Sequence, residues 1–170
     1  MLDVTKIQSG QLDLYKTSFI LDDLIQESIE EIALLSPKHS FNFKSGQSIQ
    51  VWADRERISQ VLMNLFSNAI KYSLPSTSIN IEVNSEPGKT IVSVADRGIG
   101  VDSKEQQKIF DNFYRVKGSY EQTFPGFGTG LYIASEIIKQ HQGAIWVESS
   151  KNNGATFYFS LPAENTHIEK

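Results

Sequence analysis

The 170-residue sequence contains no cysteine, which excludes a thiol nucleophile, a cysteine-ligated metal and a disulfide framework. No apolar run approaches the roughly 20 residues of a membrane-spanning helix, and the N-terminus lacks the basic and apolar regions of a signal peptide. No basic run stands out and the formal net charge is -4, which argues against a nucleic-acid-binding surface. We therefore expect one domain, not embedded in a membrane, that is large enough to bury a core without disulfides.

The sequence does contain a regular pattern of apolar residues. Helical spacing of these residues predicts four helical segments, at 1–10, 21–35, 57–72 and 129–141. The first is too short to stabilise itself, so we expect it to be the end of a helix from a preceding domain. Short strands are predicted at 40–44 and 49–53, and hairpins at 79–94 and 144–161. This order indicates an α+β fold, a two-layer α/β sandwich with a mixed, mainly antiparallel sheet and helices on one face.

Two asparagines and a lysine form a polar stripe on the third predicted helix. At about 100° per residue, Asn64, Asn68 and Lys71 lie together beside the apolar stripe. Asparagine is a poor helix former, so helicity alone does not explain this pair. A carboxamide oxygen is a neutral, hard ligand suited to Mg²⁺, and a lysine one turn further on could meet phosphates as a point charge. The structural alternative is a half-buried helix whose asparagines bond neighbouring backbone.

An Asp-x-Gly-x-Gly pattern follows the first predicted hairpin. The carboxylate of Asp96 accepts hydrogen bonds only, so at the floor of a pocket it would take the exocyclic amino group of adenine and repel the carbonyl of guanine. Gly98 and Gly100 lack side chains, which lets the backbone turn sharply and approach a flat ring. Aspartate and glycine also form ordinary turns at strand ends, so the pattern alone leaves both interpretations open.

A second glycine cluster, GFGTGL at 126–131, opens the last predicted helix. Unpaired N–H groups and the helix dipole at such a helix start form a ready site for phosphate, whereas a flexible loop entering a helix is the alternative. Between the two clusters, Phe110 and Phe113 are three residues apart, as expected of residues that anchor a loop in the core. Arg115, just beyond them, is either a solvated charge or a side chain that reaches a γ-phosphate.

Four segments together resemble the nucleotide-binding boxes of one family. The segments NLFSNAIKYS, DRGIG, IFDNFYR and GFGTGL are similar, in order and spacing, to the N, G1, F and G2 boxes of the ATP-binding domain of sensor histidine kinases. DVTKIQSGQL resembles the end of that family's dimerisation helix, and GAIWVESS with GATFYFSLP resembles its closing hairpin. The resemblance covers nearly the whole chain and implies the Bergerat fold of the GHKL superfamily, with ATP and Mg²⁺ as ligands.

The resemblance also implies roles for individual residues. Asn68 is implied to bind Mg²⁺, and Asp96 to hold the adenine amino group. The residues implied to act on the phosphates during transfer are Asn64, Lys71 and Arg115. The complete set of residues implied to line the ATP site is Asn64, Asn68, Lys71, Tyr72, Asp96, Gly98, Gly100, Tyr114, Arg115, Gly126, Gly128, Thr129, Gly130 and Leu131. Thr129 stands where the family commonly has leucine.

The same resemblance implies the organisation of the chain and its partners. Residues 1–10 would be the end of the dimerisation helix with its linker, 11–163 the catalytic ATP-binding domain, and 164–170 a polar tail. In this family the domain presents the γ-phosphate of Mg-ATP to a histidine on the dimerisation domain, for onward transfer to the receiver domain of a response regulator. Those two domains are therefore the implied partners. We expect a cytoplasmic location, whether or not the parent protein is anchored in a membrane.

Two other functions remain open from the residues. Gyrase-type, mismatch-repair and chaperone ATPases share the fold and place a glutamate at the position of Asn64 to activate water, whereas a carboxamide cannot act as a general base. A nucleotide-binding or docking module without transfer is the second alternative. His39, His141 and His167 do not lie within a long helix beside an acid, so we expect structural or solvated roles for them rather than phosphate acceptance.

Overall fold

The computed structural model describes residues 2–44, 47–111, 114, 129–150 and 152–163. Within these ranges the chain forms four α-helices, one 3₁₀ turn and seven strands. In chain order they are α1 Leu2–Gln8, β1 Thr17–Ile20, α2 Leu21–Leu35, β2 Ser40–Phe43, β3 Gln50–Ala53, α3 Arg55–Tyr72, β4 Ser78–Glu86, β5 Lys89–Ala95, the 3₁₀ turn Lys108–Phe110, α4 Gly130–Gln140, β6 Ile145–Ser149 and β7 Ala155–Pro162.

Five of the described strands form the main sheet, in the order β2-β4-β5-β7-β6. The β4–β5 and β6–β7 pairs are the two predicted hairpins, and β5 pairs antiparallel with β7 to join them. Strand β2 pairs parallel with β4, which makes the sheet mixed but mainly antiparallel. The helices cover one face of it. The predicted two-layer α+β sandwich is therefore confirmed.

The core lies between the sheet and the helices α2, α3 and α4. Alternate residues of the central strands are mostly buried, which is the period-2 pattern of a sheet with one face against a core. They meet the apolar stripes predicted for the helices, all of whose members are buried. The members of these stripes are Leu21, Leu24, Ile25, Ile29 and Ile32 on α2, Ile58, Val61, Leu62, Leu65 and Ala69 on α3, and Ala134, Ile137 and Ile138 on α4.

The start of α3 is set by a capping residue. The Asp54 carboxylate accepts the N–H of Arg57 at 3.1 Å, which satisfies one of the N–H groups left unpaired at a helix start. The cap makes α3 begin at Arg55, two residues before the predicted start. Its second carboxylate oxygen accepts the N–H of Tyr15 at 2.9 Å, so the same residue also holds the segment that leads from α1 into the domain.

One strand was not predicted. No strand was predicted between the first two helical segments, but Thr17–Ile20 forms β1, which pairs antiparallel with β3 in a separate two-stranded sheet. Helix α1 contacts α4, and its Val4 and Ile7 are buried in the core. Across the described ranges, no helix is both long and apolar enough to cross a membrane.

Candidate functional site

The polar stripe of α3 meets the start of α4. The Asn64 amide donates a hydrogen bond to the carbonyl of Gly130 at 3.1 Å, and Gly130 is the first residue of α4. A Cβ placed on Gly130 would lie 3.5 Å from the Asn64 amide oxygen, so the contact is close but unstrained. Two motifs that are 66 residues apart in sequence are thereby brought together.

Asn68 and Lys71 continue this stripe towards the C-terminal end of α3. At 3.6 residues per turn, they lie about 40° and about 20° from Asn64 around the helix axis. Both side chains are half-buried, and neither forms a hydrogen bond or an ion pair with another of the described residues. A neutral oxygen and an ammonium group are thus available on the same side of the helix that reaches Gly130.

The end of α3 is joined to the Asp-x-Gly-x-Gly loop by backbone hydrogen bonds. The carbonyl of Tyr72 accepts the N–H of Ile99 at 3.2 Å, and Ser73 forms an isolated antiparallel bridge with Gly98. A Cβ on Gly98 would lie 1.8 Å from the Tyr72 oxygen, so no other residue fits there without moving the backbone. The first glycine of the motif is therefore required by the close approach of the loop to α3.

Asp96 sits in the floor of this region with 9% of its surface exposed. Its Oδ1 accepts the N–H of Ala155 at 3.3 Å. Burial raises the pKa of its carboxyl from 3.8 to about 6, because the ionised form is poorly solvated, and backbone hydrogen bonds from Ala155 and Gly98 only partly oppose the effect. A buried carboxylate with so few partners is well suited to accept a hydrogen bond from a bound base.

The far ends of α3 and α4 are joined by His141. Its Nε2 accepts the N–H of Asp54 at 3.0 Å, and its Nδ1 lies 2.7 Å from the Ile137 carbonyl, to which it donates. Burial lowers the pKa of His141, so the ring stays neutral and can accept at Nε2. Both ring nitrogens are occupied, which confirms the structural role predicted for this residue. His39 is half-buried and its Nδ1 contacts the Ser36 hydroxyl at 2.9 Å.

The turn between β6 and β7 also contacts the Asp-x-Gly-x-Gly loop, a contact that no pattern in the sequence predicts. Gly154 donates to the Gly98 carbonyl at 3.0 Å, and Asn152 donates to the Ile99 carbonyl at 2.7 Å. Gly100 has φ +70°, and a Cβ there would lie 2.0 Å from the Ser150 carbonyl oxygen. The hairpin pattern of 144–161 predicted the turn, but only the folded chain shows that this turn forms one wall of the site.

The remaining predicted residues are placed only in part. Leu131 and Tyr114 are half-buried against the core, and burial together with a hydrogen bond to Glu105 raises the pKa of Tyr114. Thr129 occupies the N-cap position of α4, but its side chain does not cap the helix.

Phe110 packs edge-on against Phe157 with ring centres 6.3 Å apart, as expected for a core anchor. Phe113, Arg115, Gly126, Gly128 and His167 lie outside the described residues.

Comparison with known proteins connects these features. Residues 53–165 match the family described as histidine kinase-, DNA gyrase B-, and HSP90-like ATPases. Over 118 residues, 68% of its length, the chain is 41% identical to the sensor histidine kinase WalK of Bacillus subtilis and covers 19% of that protein. Over 166 residues, 95% of its length, it is 33% identical to the adaptive-response sensory kinase SasA of Rippkaea orientalis and covers 42% of it. The chain therefore spans less than half of the length of these relatives.

Among solved structures, the catalytic domain of the histidine kinase ThkA in a nucleotide-free form is similar to this chain. Its TM-score is 0.74 at 34% identity, and the match covers 88% of this chain and 98% of that one. The mycobacterial sensor histidine kinase MprB shares the fold with a TM-score of 0.77 at 23% identity, covering 88% of this chain and 98% of that one.

Proposed function

Given that this chain belongs to the family of histidine kinase-, DNA gyrase B-, and HSP90-like ATPases, and within it to the ATP-binding catalytic domains of sensor histidine kinases, we propose that it presents the γ-phosphate of Mg-ATP to a histidine on a separate dimerisation domain. The phosphoryl group would then pass to the receiver domain of a response regulator. In this proposal residues 11–163 are the catalytic domain, 1–10 the end of the dimerisation helix with its linker, and 164–170 a polar tail. The protein would act in the cytoplasm.

The hydrogen bond between Asn64 and Gly130 is the observation that carries the proposal. It sets the polar stripe of α3 against the start of α4, where free N–H groups and the helix dipole favour phosphate. The other end of the same stripe is joined to the loop that holds Asp96. Helix α3 thus extends from the Asp96 loop, which would bind the base, to the start of α4, which would bind the phosphates. An adenine nucleotide requires this arrangement.

A magnesium ion fits the residues present. Asn68 offers a neutral oxygen without a protein partner among the described residues, and these residues contain no group of three or more His, Cys, Asp or Glu side chains that could enclose a metal. Such a site matches Mg²⁺ because this ion keeps several waters and takes further ligands from phosphates. When bound, the ion neutralises negative charge on the phosphate oxygens.

The protein groups act mainly by position and charge. Lys71 would meet the phosphates as a point charge, while Asn64 holds the glycine-rich start of α4 in place. In the same proposal Arg115, Gly126 and Gly128 complete the phosphate site. Phosphoryl transfer demands little covalent chemistry from the protein, so holding the γ-phosphate in line with an incoming imidazole supplies most of the catalysis.

Hydrolysis of ATP is the second candidate, and the chemistry of Asn64 disfavours it. A carboxamide has no useful proton affinity near neutral pH, so it cannot take a proton from an attacking water. Its amide group is also engaged with Gly130, which leaves it a positioning role. A nucleotide-binding or docking module without transfer would need the same site, and only an activity assay separates it from the kinase.

The test is transfer of label from [γ-³²P]ATP. We expect the chain to label the histidine of the parent protein's dimerisation domain when that domain is added in trans, and to leave itself unlabelled. The chain alone should release phosphate slowly. Rapid metal-dependent release that disappears in Asn64→Ala would instead establish the hydrolase. ATP binding without label on the added domain would support the binding module.

A further inference from the structure

Ser149, the last residue of β6, connects the β6–β7 turn, which forms one wall of the candidate site, to the loop that follows Asp96. Its hydroxyl oxygen accepts the N–H of Val101, directly after the glycine motif, at 2.7 Å. The same hydroxyl donates to the carbonyl of Gly154 on the β6–β7 turn at 2.6 Å. A single side chain therefore bonds both the loop that follows Asp96 and the turn that packs against it.

Gln106 repeats this connection from the opposite side. Its amide nitrogen donates to the Ser149 carbonyl at 2.7 Å and to the Val101 carbonyl at 3.1 Å. Val101 is thus held at its N–H by Ser149 and at its carbonyl by Gln106. These bonds link segments 43 and 48 residues apart in sequence, so local turn preferences do not account for them.

The position of this wall determines where Asp96 lies. Ala155, the first residue after the turn, donates to the Asp96 carboxylate, and a Cβ on Gly154 would lie 2.3 Å from the Asp96 carbonyl oxygen. A Cβ on Gly100 would likewise lie 2.0 Å from the Ser150 carbonyl oxygen. The two backbones can approach this closely only because Gly154 and Gly100 lack side chains, and hydrogen bonds from Gly154 to Gly98 and from Ala155 to Asp96 join them, so a displacement of the turn would disturb the carboxylate or the glycine loop.

We infer that Ser149 and Gln106 are positioning residues for base selection, which hold the β6–β7 turn against the Asp96 loop so that the carboxylate meets the amino group of adenine. The inference rests on the proposed function, because it takes the ligand to be an adenine nucleotide. Neither residue touches the base in this assignment. A binding group must be held within roughly 0.5 Å of its productive position to discriminate ligands, and the bonds of these two side chains provide that precision.

The test is the ratio of ATP to GTP affinity in variants that remove the connecting groups. Ser149→Ala removes the hydroxyl, and Gln106→Met removes the amide at nearly constant length. Each variant removes two hydrogen bonds from the wall. Because this loss reaches the base only through a shift of Asp96, each should lower ATP affinity by roughly three- to tenfold and lower the ratio of ATP to GTP affinity by a similar factor. Titration calorimetry with both nucleotides and Mg²⁺ measures the two affinities, and thermal unfolding measures stability in parallel.

Ser160→Ala is the matched control. Ser160 lies on the same hairpin, is buried, and its hydroxyl accepts the N–H of Ala144 at 3.1 Å, at the end of the hairpin away from the turn. This variant should lower the melting temperature and leave the ATP to GTP ratio unchanged.

The inference is overturned if both site variants keep the unaltered ratio, or if Ser160→Ala narrows it equally, since the effect would then be one of general stability. Failure of the unaltered chain to bind Mg-ATP would overturn the proposed function itself and this inference with it. Normal binding by the unaltered chain with unchanged selectivity in the variants would overturn only the inference.

Discussion

Replacing Asp96 with asparagine should weaken ATP binding and reduce discrimination against GTP. The change is nearly isosteric, so the hydrogen bond from Ala155 can be kept by the amide oxygen. The amide nitrogen, however, offers a donor to the base where the carboxylate could only accept. Adenine thereby loses a charge-assisted hydrogen bond, and the carbonyl of guanine gains a partner.

The magnitude follows from the burial of the carboxylate. A hydrogen bond to a charged group contributes about 1.5–3 kcal/mol, so its loss should reduce ATP affinity roughly ten- to a hundredfold. Raising the pKa from 3.8 to about 6 corresponds to about 3 kcal/mol of unfavourable free energy for the ionised form in the empty fold. Between these two pH values the folded chain holds a proton that the unfolded chain has lost, so this group's contribution to stability decreases as the pH rises.

The same pKa predicts that base selection depends on pH. Below about pH 6 the Asp96 carboxyl takes up a proton in the empty chain and becomes a donor, as asparagine does. The ATP to GTP affinity ratio should therefore fall by up to about tenfold for each pH unit below this value and level off above it. Because both nucleotides carry the same triphosphate, titration of the phosphates cancels in the ratio.

Titration calorimetry with ATP and GTP between pH 5 and pH 8 measures this ratio in the unaltered chain and in Asp96→Asn. The variant is its own control, since its ratio should be low and independent of pH across this range. Asp96 would have no place in base recognition if a folded Asp96→Asn chain bound ATP as tightly as the unaltered chain, or if the ratio of the unaltered chain did not change with pH.

Three further predictions concern the metal and the two connections of α3. Asn68→Ala should remove most of the gain in ATP affinity that Mg²⁺ provides, without loss of stability because alanine favours the helix. Calorimetry with and without Mg²⁺ measures this gain. If the variant kept the full Mg²⁺-dependent gain, the metal would be bound elsewhere. Gly98→Ala should lower the free energy of unfolding by about 1–3 kcal/mol, because its Cβ would overlap the Tyr72 carbonyl. Urea denaturation measures this loss, and an unchanged denaturation midpoint would contradict the close approach of Gly98 to the end of α3. His141→Leu should cost about 1–3 kcal/mol by leaving the buried N–H of Asp54 without an acceptor. Because the pKa of His141 is lowered from 6.5, the unaltered chain should lose stability as the pH falls below that value, and the variant should not show this loss.

The features that the sequence predicts well are those set by local pattern. The apolar stripe and the asparagine stripe of α3 follow from helical spacing, and both hairpins follow from alternation and turn residues. No single sequence pattern predicts the hydrogen bond between Asn64 and Gly130. The resemblance of both segments to boxes of one nucleotide site, however, implies that they lie close together. The structure places them in direct contact.

The features that the sequence did not predict depend on distant contacts. Strand β1 has four residues, and each pairs with a residue of β3 at least 30 positions away, so β1 carries little local signal of its own. Ser149 is an ordinary strand residue until the turn beside it packs on the Asp96 loop. The raised pKa of Asp96 likewise arises from burial by segments far along the chain, because desolvation depends on everything packed around the group.

The pairing of β5 with β7 has a consequence for how such a domain can change in evolution. Ala95 and Thr156 are partners in this pairing, although about 60 residues separate them, and the excursion between them includes α4 and strand β6. Because β6 lies within this excursion and pairs with β7, residues added between the elements of the excursion, rather than inside them, leave the sheet register unchanged. Doubling the length of a flexible loop costs only about 0.6 kcal/mol in closure entropy. Insertions between these elements that avoid the hydrogen bonds to the β6–β7 turn should therefore change the surroundings of the candidate site at little cost to the stability of the fold.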